Sequence, residues 1–141
     1  MSKKIRYILI FLFLAFIAAF ITWKYTFKKS ELNVSSHKTD IIIDAPLLLQ
    51  AFSTNEDSAN VRYLDKIILV TGTVGSVTQD SLGYSVYLKD NAALSGIMCS
   101  FEEKAFDPAL IKVGSQVSIK GLCTGYLMDV ELNKCSIAGK P

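Results

Sequence analysis

The chain has 141 residues, of which half are hydrophobic and a fifth are charged, and its formal net charge is +2. Its single histidine, His37, lies in a polar stretch ahead of the part of the chain that is long enough to form a domain. This excludes a histidine-based catalytic triad within the domain and any multi-histidine metal site.

The first predicted element is an uncharged apolar run from Tyr7 to Trp23. As a helix the run rises about 26 Å, close to the ~30 Å hydrocarbon core of a membrane. We predict a transmembrane anchor over residues 7–24, preceded by a basic tail over residues 1–6. A cleavable signal peptide is the alternative, but residues 20–24 lack the small residues of a cleavage site.

The orientation of the anchor depends on weak charge signals. Equal numbers of basic residues lie near the two ends of the run, so the positive-inside rule barely decides it. A short tail before a single span is typical of a signal anchor. We therefore predict a cytoplasmic N-terminus, a polar linker over residues 25–41, and a domain over residues 42–141 outside, on the periplasmic side.

This domain is acidic although the whole chain is basic. From Ile41 onward, eleven acidic residues stand against eight basic ones, so the domain carries about −3 and the positive charge belongs to the anchor. A protein that follows a nucleic-acid backbone needs a basic surface. The charge therefore argues against nucleic acid as a partner.

Two helices and then five strands are predicted in the domain. Asp44 and Pro46 mark the start of the first helix, and a second covers residues 56–63. The strands, with a short helix at 102–111 interrupted by Pro108, follow in the order 66–77, 84–89, 96–101, 116–122 and 128–132, with residues 135–137 extending the last strand past a bulge.

This order matches the OB-fold, a mainly β, five-stranded Greek-key barrel, here with an N-terminal helix and a short helix between strands three and four. A split sandwich of similar length is the alternative. The barrel is preferred because Gly72 and Gly75 let the long first strand bend and serve both sheets.

Four segments of the domain carry a resemblance to a known family: YLDKIILVTGTV, YSVYLKD, GIMCSF and VGSQVSIKGLCTGYLMDVELNKCSI. Together they resemble the tRNA_anti-like OB-fold family, whose members are small bacterial proteins with an N-terminal export signal or anchor. The matched residues are Ala59, Asn60, Tyr63, Lys66, Val70, Gly72, Val74, Gly114, Val117, Gly121, Cys123, Gly125, Asp129, Val130, Leu132 and Cys135. The resemblance covers residues 46–137 and implies the fold, whereas tRNA binding would be an inference from fold alone.

Three cysteines, Cys99, Cys123 and Cys135, fall on the inward side of the strand alternation, which is typical of core packing. An external domain would also permit one disulfide. A hairpin tip at residues 125–126 would place Cys123 opposite Met128, roughly 23 Å from Cys135. This distance excludes a Cys123–Cys135 disulfide unless the chain folds back after a bulge. Cys99–Cys135 stays open, because strands three and five are neighbours in an OB barrel.

No cofactor, metal site or catalytic constellation is predicted, so we do not expect an enzyme. The cysteine spacing is not that of a zinc ribbon. Asp129 and Glu131 flank Val130 on the last strand and are expected to face water.

OB-folds commonly bind ligands on the outer face of strands two and three. The candidate ligand residues are Tyr87, Lys89, Met98 and Ser100, with Tyr126 at a loop tip. The alternative is that the two tyrosines are ordinary amphipathic surface residues.

The sequence thus favours a membrane-anchored, non-catalytic binding module of the cell envelope, whose partner is a protein or another envelope component. Two alternatives remain. One is an OB domain that binds single-stranded nucleic acid, which would need a local basic stripe on strands two and three. The other is a scaffold protein that acts through its membrane helix.

Overall fold

The computed structural model describes residues 3–26, 33–89 and 94–138, and the chain divides between Leu32 and Asn33 into two compact units. Parts of four predicted segments lie outside the described residues: 1–2 of the tail, 27–32 of the linker, 90–93 of the loop before the third barrel strand, and 139–141 of the domain.

The first unit contains helix α1, Lys3–Thr26. Its segment from Lys4 to Trp23 is long and apolar enough to cross a membrane, and none of it is buried within the protein. The predicted anchor lies inside this helix, which also takes in part of the predicted basic tail.

The second unit is a closed barrel with two helices before it. The helices are α2, Ala45–Thr54, and α3, Glu56–Tyr63. The strands are β1 (Ile41–Asp44), β2 (Ile67–Asp80), β3 (Gly83–Leu88), β4 (Ile97–Glu102), β5 (Gln116–Tyr126) and β6 (Val130–Ile137). They are paired in the order β1-β2-β3-β4-β6-β5, and β5 pairs back onto β2. Strands β2 to β6 therefore form the predicted five-stranded OB barrel.

The long strand β2 closes the barrel by belonging to both of its sides. Residues 67–73 pair with β5, and the segment from Val74 to Asp80 pairs with β3. The register shifts between Val74 and Ser76, at Gly75. The bend predicted from glycine is confirmed here, whereas Gly72 serves another purpose, because a Cβ there would lie 2.8 Å from Ala45 Cβ of α2.

The element between β4 and β5 is a pair of 3₁₀ turns, Glu103–Ala105 and Pro108–Leu110, where the sequence predicted one interrupted helix. Pro108 lacks an N–H and its ring restricts the preceding residue, so a continuous helix cannot form. The Asp107 side chain instead accepts a hydrogen bond from Ala109 N at 2.9 Å and begins the second turn.

The domain begins before the boundary predicted at residue 42, because strand β1 and the residues ahead of it belong to it. β1 runs parallel to β2, and Asp40 Oδ2 accepts a hydrogen bond from Ile67 N at 2.9 Å. Val34 is buried, and Lys120 Nζ of β5 donates to the carbonyl oxygen of His37. The structure thus places part of the predicted linker on the barrel.

Inward side chains of the five barrel strands form one core, covered by α2 through Leu48 and Phe52. The hairpin between β5 and β6 differs from the prediction. Tyr126 pairs with Val130, so the turn lies at residues 127–129 and Cys123 is opposite Leu132, not Met128.

Candidate ligand-binding face

The outer surface of β3 and β4 carries three of the five predicted ligand residues. Alternation buries Val86, Leu88, Ile97 and Cys99 in the barrel and leaves their neighbours half-buried outside. Tyr87 lies opposite Met98, and Ser85 lies opposite Ser100. We call these four outward residues (Ser85, Tyr87, Met98 and Ser100) the β3–β4 face.

The strands on either side extend this face with polar groups. Ser76 and Thr78 of β2 lie opposite Tyr87 and Ser85, and Glu131 of β6 is paired with Met98. Neither β3 nor β4 contains a lysine or arginine. The surface therefore offers hydroxyl groups, a thioether and one aromatic ring, with a carboxylate at its side.

The aromatic ring of the face is fixed in place by Asp129. Tyr87 OH donates to Asp129 Oδ1 at 2.6 Å, and Gly96 N donates to the same oxygen at 2.7 Å. Burial, together with this hydrogen bond and the Asp129 charge, raises the pKa of Tyr87 to about 12. Asp129 was expected to face water, and that expectation is wrong because its carboxylate joins the ends of β3 and β4 to the β5–β6 turn.

Gly96 leaves room for the Tyr87 ring. A Cβ at Gly96 would lie 2.5 Å from Tyr87 Cζ and 2.7 Å from the Leu88 carbonyl oxygen. No side chain other than that of glycine fits between these groups, so the ring covers the backbone at the start of β4. The hydroxyl is neutral and already bonded, which makes Tyr87 a rigid platform and not a proton donor to a reaction.

Tyr126 lies away from the face. Its ring stacks on Phe52 of α2 with centroids 5.3 Å apart, and it packs against the barrel core. The exposed tip of the β5–β6 turn consists of Leu127 and Met128. Because the turn begins after Tyr126, the predicted loop-tip position belongs to these two residues.

Lys89, the fifth predicted residue, lines a separate groove at the end of the barrel. The groove has a volume of about 480 Å³ and lies between α2, β2 and the end of β3. Its polar lining includes Asp44, Gln50, Ser53, Thr71, Thr73 and Lys89. Sequence reasoning missed it because residues 44–53 were assigned to helix packing, although Gln50 and Ser53 alternate with the buried Leu48 and Phe52.

The three cysteines are buried free thiols. The Cys135 thiol donates a hydrogen bond to the Leu132 carbonyl oxygen at 3.3 Å. Burial, together with the neighbouring Cys99, raises the pKa of Cys135 well above its ordinary value. Burial also raises the pKa of Cys123 to about 11. Within the described residues no group of three or more histidine, cysteine or acidic side chains could hold a metal ion.

A family model described as tRNA_anti-like matches residues 1–137, which include α1 and the whole barrel. The chain belongs to the tRNA_anti-like family. No curated protein sequence matches this tRNA_anti-like protein.

Solved structures of other proteins match this chain at low sequence identity. A Klebsiella pneumoniae lipoprotein for which nucleic-acid binding has been suggested is 18% identical with a TM-score of 0.57, over 79% of this chain and 100% of its own. An Entamoeba histolytica asparaginyl-tRNA synthetase is 14% identical with a TM-score of 0.41, over 55% of this chain and 21% of its own. A suggested Leishmania major aspartyl-tRNA synthetase is 15% identical with a TM-score of 0.45, over 76% of this chain and 22% of its own.

Proposed function

We propose that this tRNA_anti-like protein is a non-catalytic binding module of the cell envelope, tethered by α1, which holds a segment of another envelope protein on the β3–β4 face. The observation that carries the proposal is the composition of that face. It combines hydroxyls, a thioether and a ring whose position is fixed by Asp129. Such a surface is organised for contact before a partner arrives.

The chemistry of the face supports binding and not catalysis. Tyr87 is neutral at physiological pH and donates a hydrogen bond to Asp129. Ser85 and Ser100 face each other across the two strands, and no histidine lies in the barrel to activate them. The remaining function of this surface is to contact a partner.

Charge favours a neutral or basic protein partner over nucleic acid. The alternative of single-stranded nucleic-acid binding needs cationic side chains along the face, and β3 and β4 carry none. Glu131 adds negative charge beside Met98. The Klebsiella relative supports the fold and leaves nucleic acid as the alternative that the experiments below distinguish.

Sidedness is tested with two cysteine variants and a membrane-impermeant maleimide. Lys38→Cys places an exposed thiol just before the barrel, and Lys4→Cys places one at the start of α1. We expect labelling of Lys38→Cys in intact cells and of Lys4→Cys only after lysis, while the buried native thiols stay unlabelled. The reverse pattern would put the domain in the cytoplasm and refute the envelope location.

The binding face is tested with a photo-cross-linking residue at Ser100, and with the same residue at the exposed Val61 of α3 as the control. We expect an adduct at position 100 and none at 61, removed by protease and unaffected by nuclease. A nuclease-sensitive adduct would favour the nucleic-acid alternative. Replacing residues 7–23 by an unrelated apolar helix should leave the adduct intact, and its loss would favour a scaffold acting through the membrane helix.

A further inference from the structure

Cys99 and Cys135 meet inside the barrel although they lie on different strands. Cys99 is in β4 and Cys135 is in β6, and these strands run side by side and parallel, with Cys99 aligned with Leu132. The Cys135 thiol donates a hydrogen bond to the carbonyl oxygen of Leu132 at 3.3 Å, and Leu132 is the residue aligned with Cys99. The side chain of Cys135 therefore turns back to the level of Cys99, and the two cysteines have exposed fractions of 2% and 0%.

A bulge in β6 turns Cys135 towards its partner. Regular alternation from the buried Leu132 would bury residue 134 and point residue 135 outward. The register instead shifts between Lys120 and Leu122 of the facing strand, and Lys134 adopts a φ of 52°. This extra residue restores the inward direction, so that Cys135 enters the core.

Gly121 of β5 provides the space that the Cys135 sulfur occupies. A Cβ at Gly121 would lie 2.6 Å from Cys135 Sγ and 3.0 Å from Leu132 Cβ. The positive φ of Lys134 and the glycine at position 121 thus together place the Cys135 thiol in the core.

We propose that Cys99 and Cys135 form a structural disulfide in the cell envelope, which links β4 to β6; the location rests on the proposed function. Each thiol gives up its proton, one S–S bond forms, and the two electrons reduce the disulfide of an exchange partner to a dithiol. The partner is a disulfide-carrying thiol oxidoreductase in the cell, or oxidised glutathione in vitro.

We expect Cys99 and Cys135 to be oxidised during folding, before the closed barrel buries both thiols. Thiol–disulfide exchange needs a thiolate, and burial opposes ionisation of Cys135 in the finished barrel. Cys123 lies on β5, opposite Leu132 of β6, and takes no part in the bond, so it stays a buried free thiol. The oxidised protein therefore has one disulfide and one remaining thiol.

The test refolds the purified full chain in detergent with a glutathione redox buffer, followed by thiol counting in denaturant and peptide mapping. We expect one free thiol in the wild type, none in Cys123→Ala and two in Cys135→Ala, with Cys99 and Cys135 in the linked peptides. A reductant should lower the urea midpoint of the wild type and of Cys123→Ala, and leave that of Cys135→Ala unchanged. Three free thiols in the refolded wild type, or a dominant bond to Cys123, would overturn the proposal.

A second measurement in cells separates this proposal from the envelope location. Thiols are trapped by acid and alkylated, and the result is compared with maleimide labelling of Lys38→Cys. An oxidised pair with external labelling supports the disulfide. A reduced pair with external labelling overturns the disulfide alone, and a reduced pair with protection until lysis overturns both the location and the disulfide that depends on it.

Discussion

Tyr87 shows how one hydrogen bond connects the stability of the barrel to the shape of its outer face. Its hydroxyl and the backbone N–H of Gly96 share one carboxylate oxygen of Asp129. The hydrogen bond lies between β3 and the β5–β6 turn, whose residues are far apart in the sequence. Removing the hydroxyl should therefore affect both the free energy of unfolding and its dependence on pH.

Tyr87→Phe should lower the free energy of unfolding by about 1 kcal/mol at neutral pH, because it removes one partner of a half-buried carboxylate. Folding raises the pKa of Tyr87 from 10.0 to about 12. The stability that the protonated hydroxyl contributes is complete below pH 10 and is lost as the pH rises through 12. Urea unfolding should therefore show a constant difference from wild type up to pH 10, which shrinks between pH 10 and pH 12.

Tyr84→Phe is the matched control for this titration, since the Tyr84 ring packs on Phe106 on the other side of β3. The loss of stability between pH 10 and pH 12 should persist in Tyr84→Phe, because this variant keeps the Tyr87 hydroxyl and its hydrogen bond to Asp129. An equal pH dependence in wild type and Tyr87→Phe would show that neither burial nor the hydrogen bond to Asp129 raises the pKa of Tyr87.

At the scale of elements, the sequence predicted those features that depend on local chemistry. The bend of β2 follows from Gly75, and the breaks around Pro108 follow from its ring. Strand β1 was missed because its four residues, Ile41–Asp44, carry no local turn or period signal and become a strand only by pairing with β2. The groove beside Lys89 also depends on tertiary structure, since residues from α2, β1, β2, β3 and β5 line it.

The β5–β6 hairpin was placed wrongly because its turn uses residues that turns rarely favour. The prediction put the tip at residues 125–126, where glycine is available, but the turn lies at residues 127–129 with Met128 at a φ of 81°. This backbone conformation is costly for a residue with a Cβ. The Asp129 side chain accepts hydrogen bonds from Tyr87 OH and Gly96 N, and these hydrogen bonds hold the turn in that position.

Met128→Gly should therefore raise the free energy of unfolding by up to about 1 kcal/mol, because glycine adopts positive φ without steric cost. Little packing is lost, since Met128 is 80% exposed. Leu127→Gly, at an equally exposed neighbour without positive φ, is the control and should not stabilise the domain. Urea denaturation measures both, and a destabilised Met128→Gly would show that the thioether makes a stabilising contact.

At the scale of the whole molecule, the two signs of charge are separated along the chain. Basic residues surround the apolar run of α1, while acidic residues exceed basic ones from Ile41 onward. A single net charge of +2 conceals this arrangement. Positive residues close to a membrane interact with anionic lipid, whereas an acidic domain repels a polyanion in solution.

The acidic domain should therefore not bind a single-stranded oligonucleotide, even at low salt where phosphate contacts are strongest. The double variant Ser85→Lys with Ser100→Lys supplies two cations on paired positions of the β3–β4 face and is the positive control. Fluorescence anisotropy at several salt concentrations should show no binding for the wild type. The variant should bind with an affinity that falls as salt rises, because each phosphate contact releases counterions. Salt-sensitive binding by the wild type would mean that cations outside β3 and β4 form a nucleic-acid surface, and it would replace the protein partner with a nucleic-acid one.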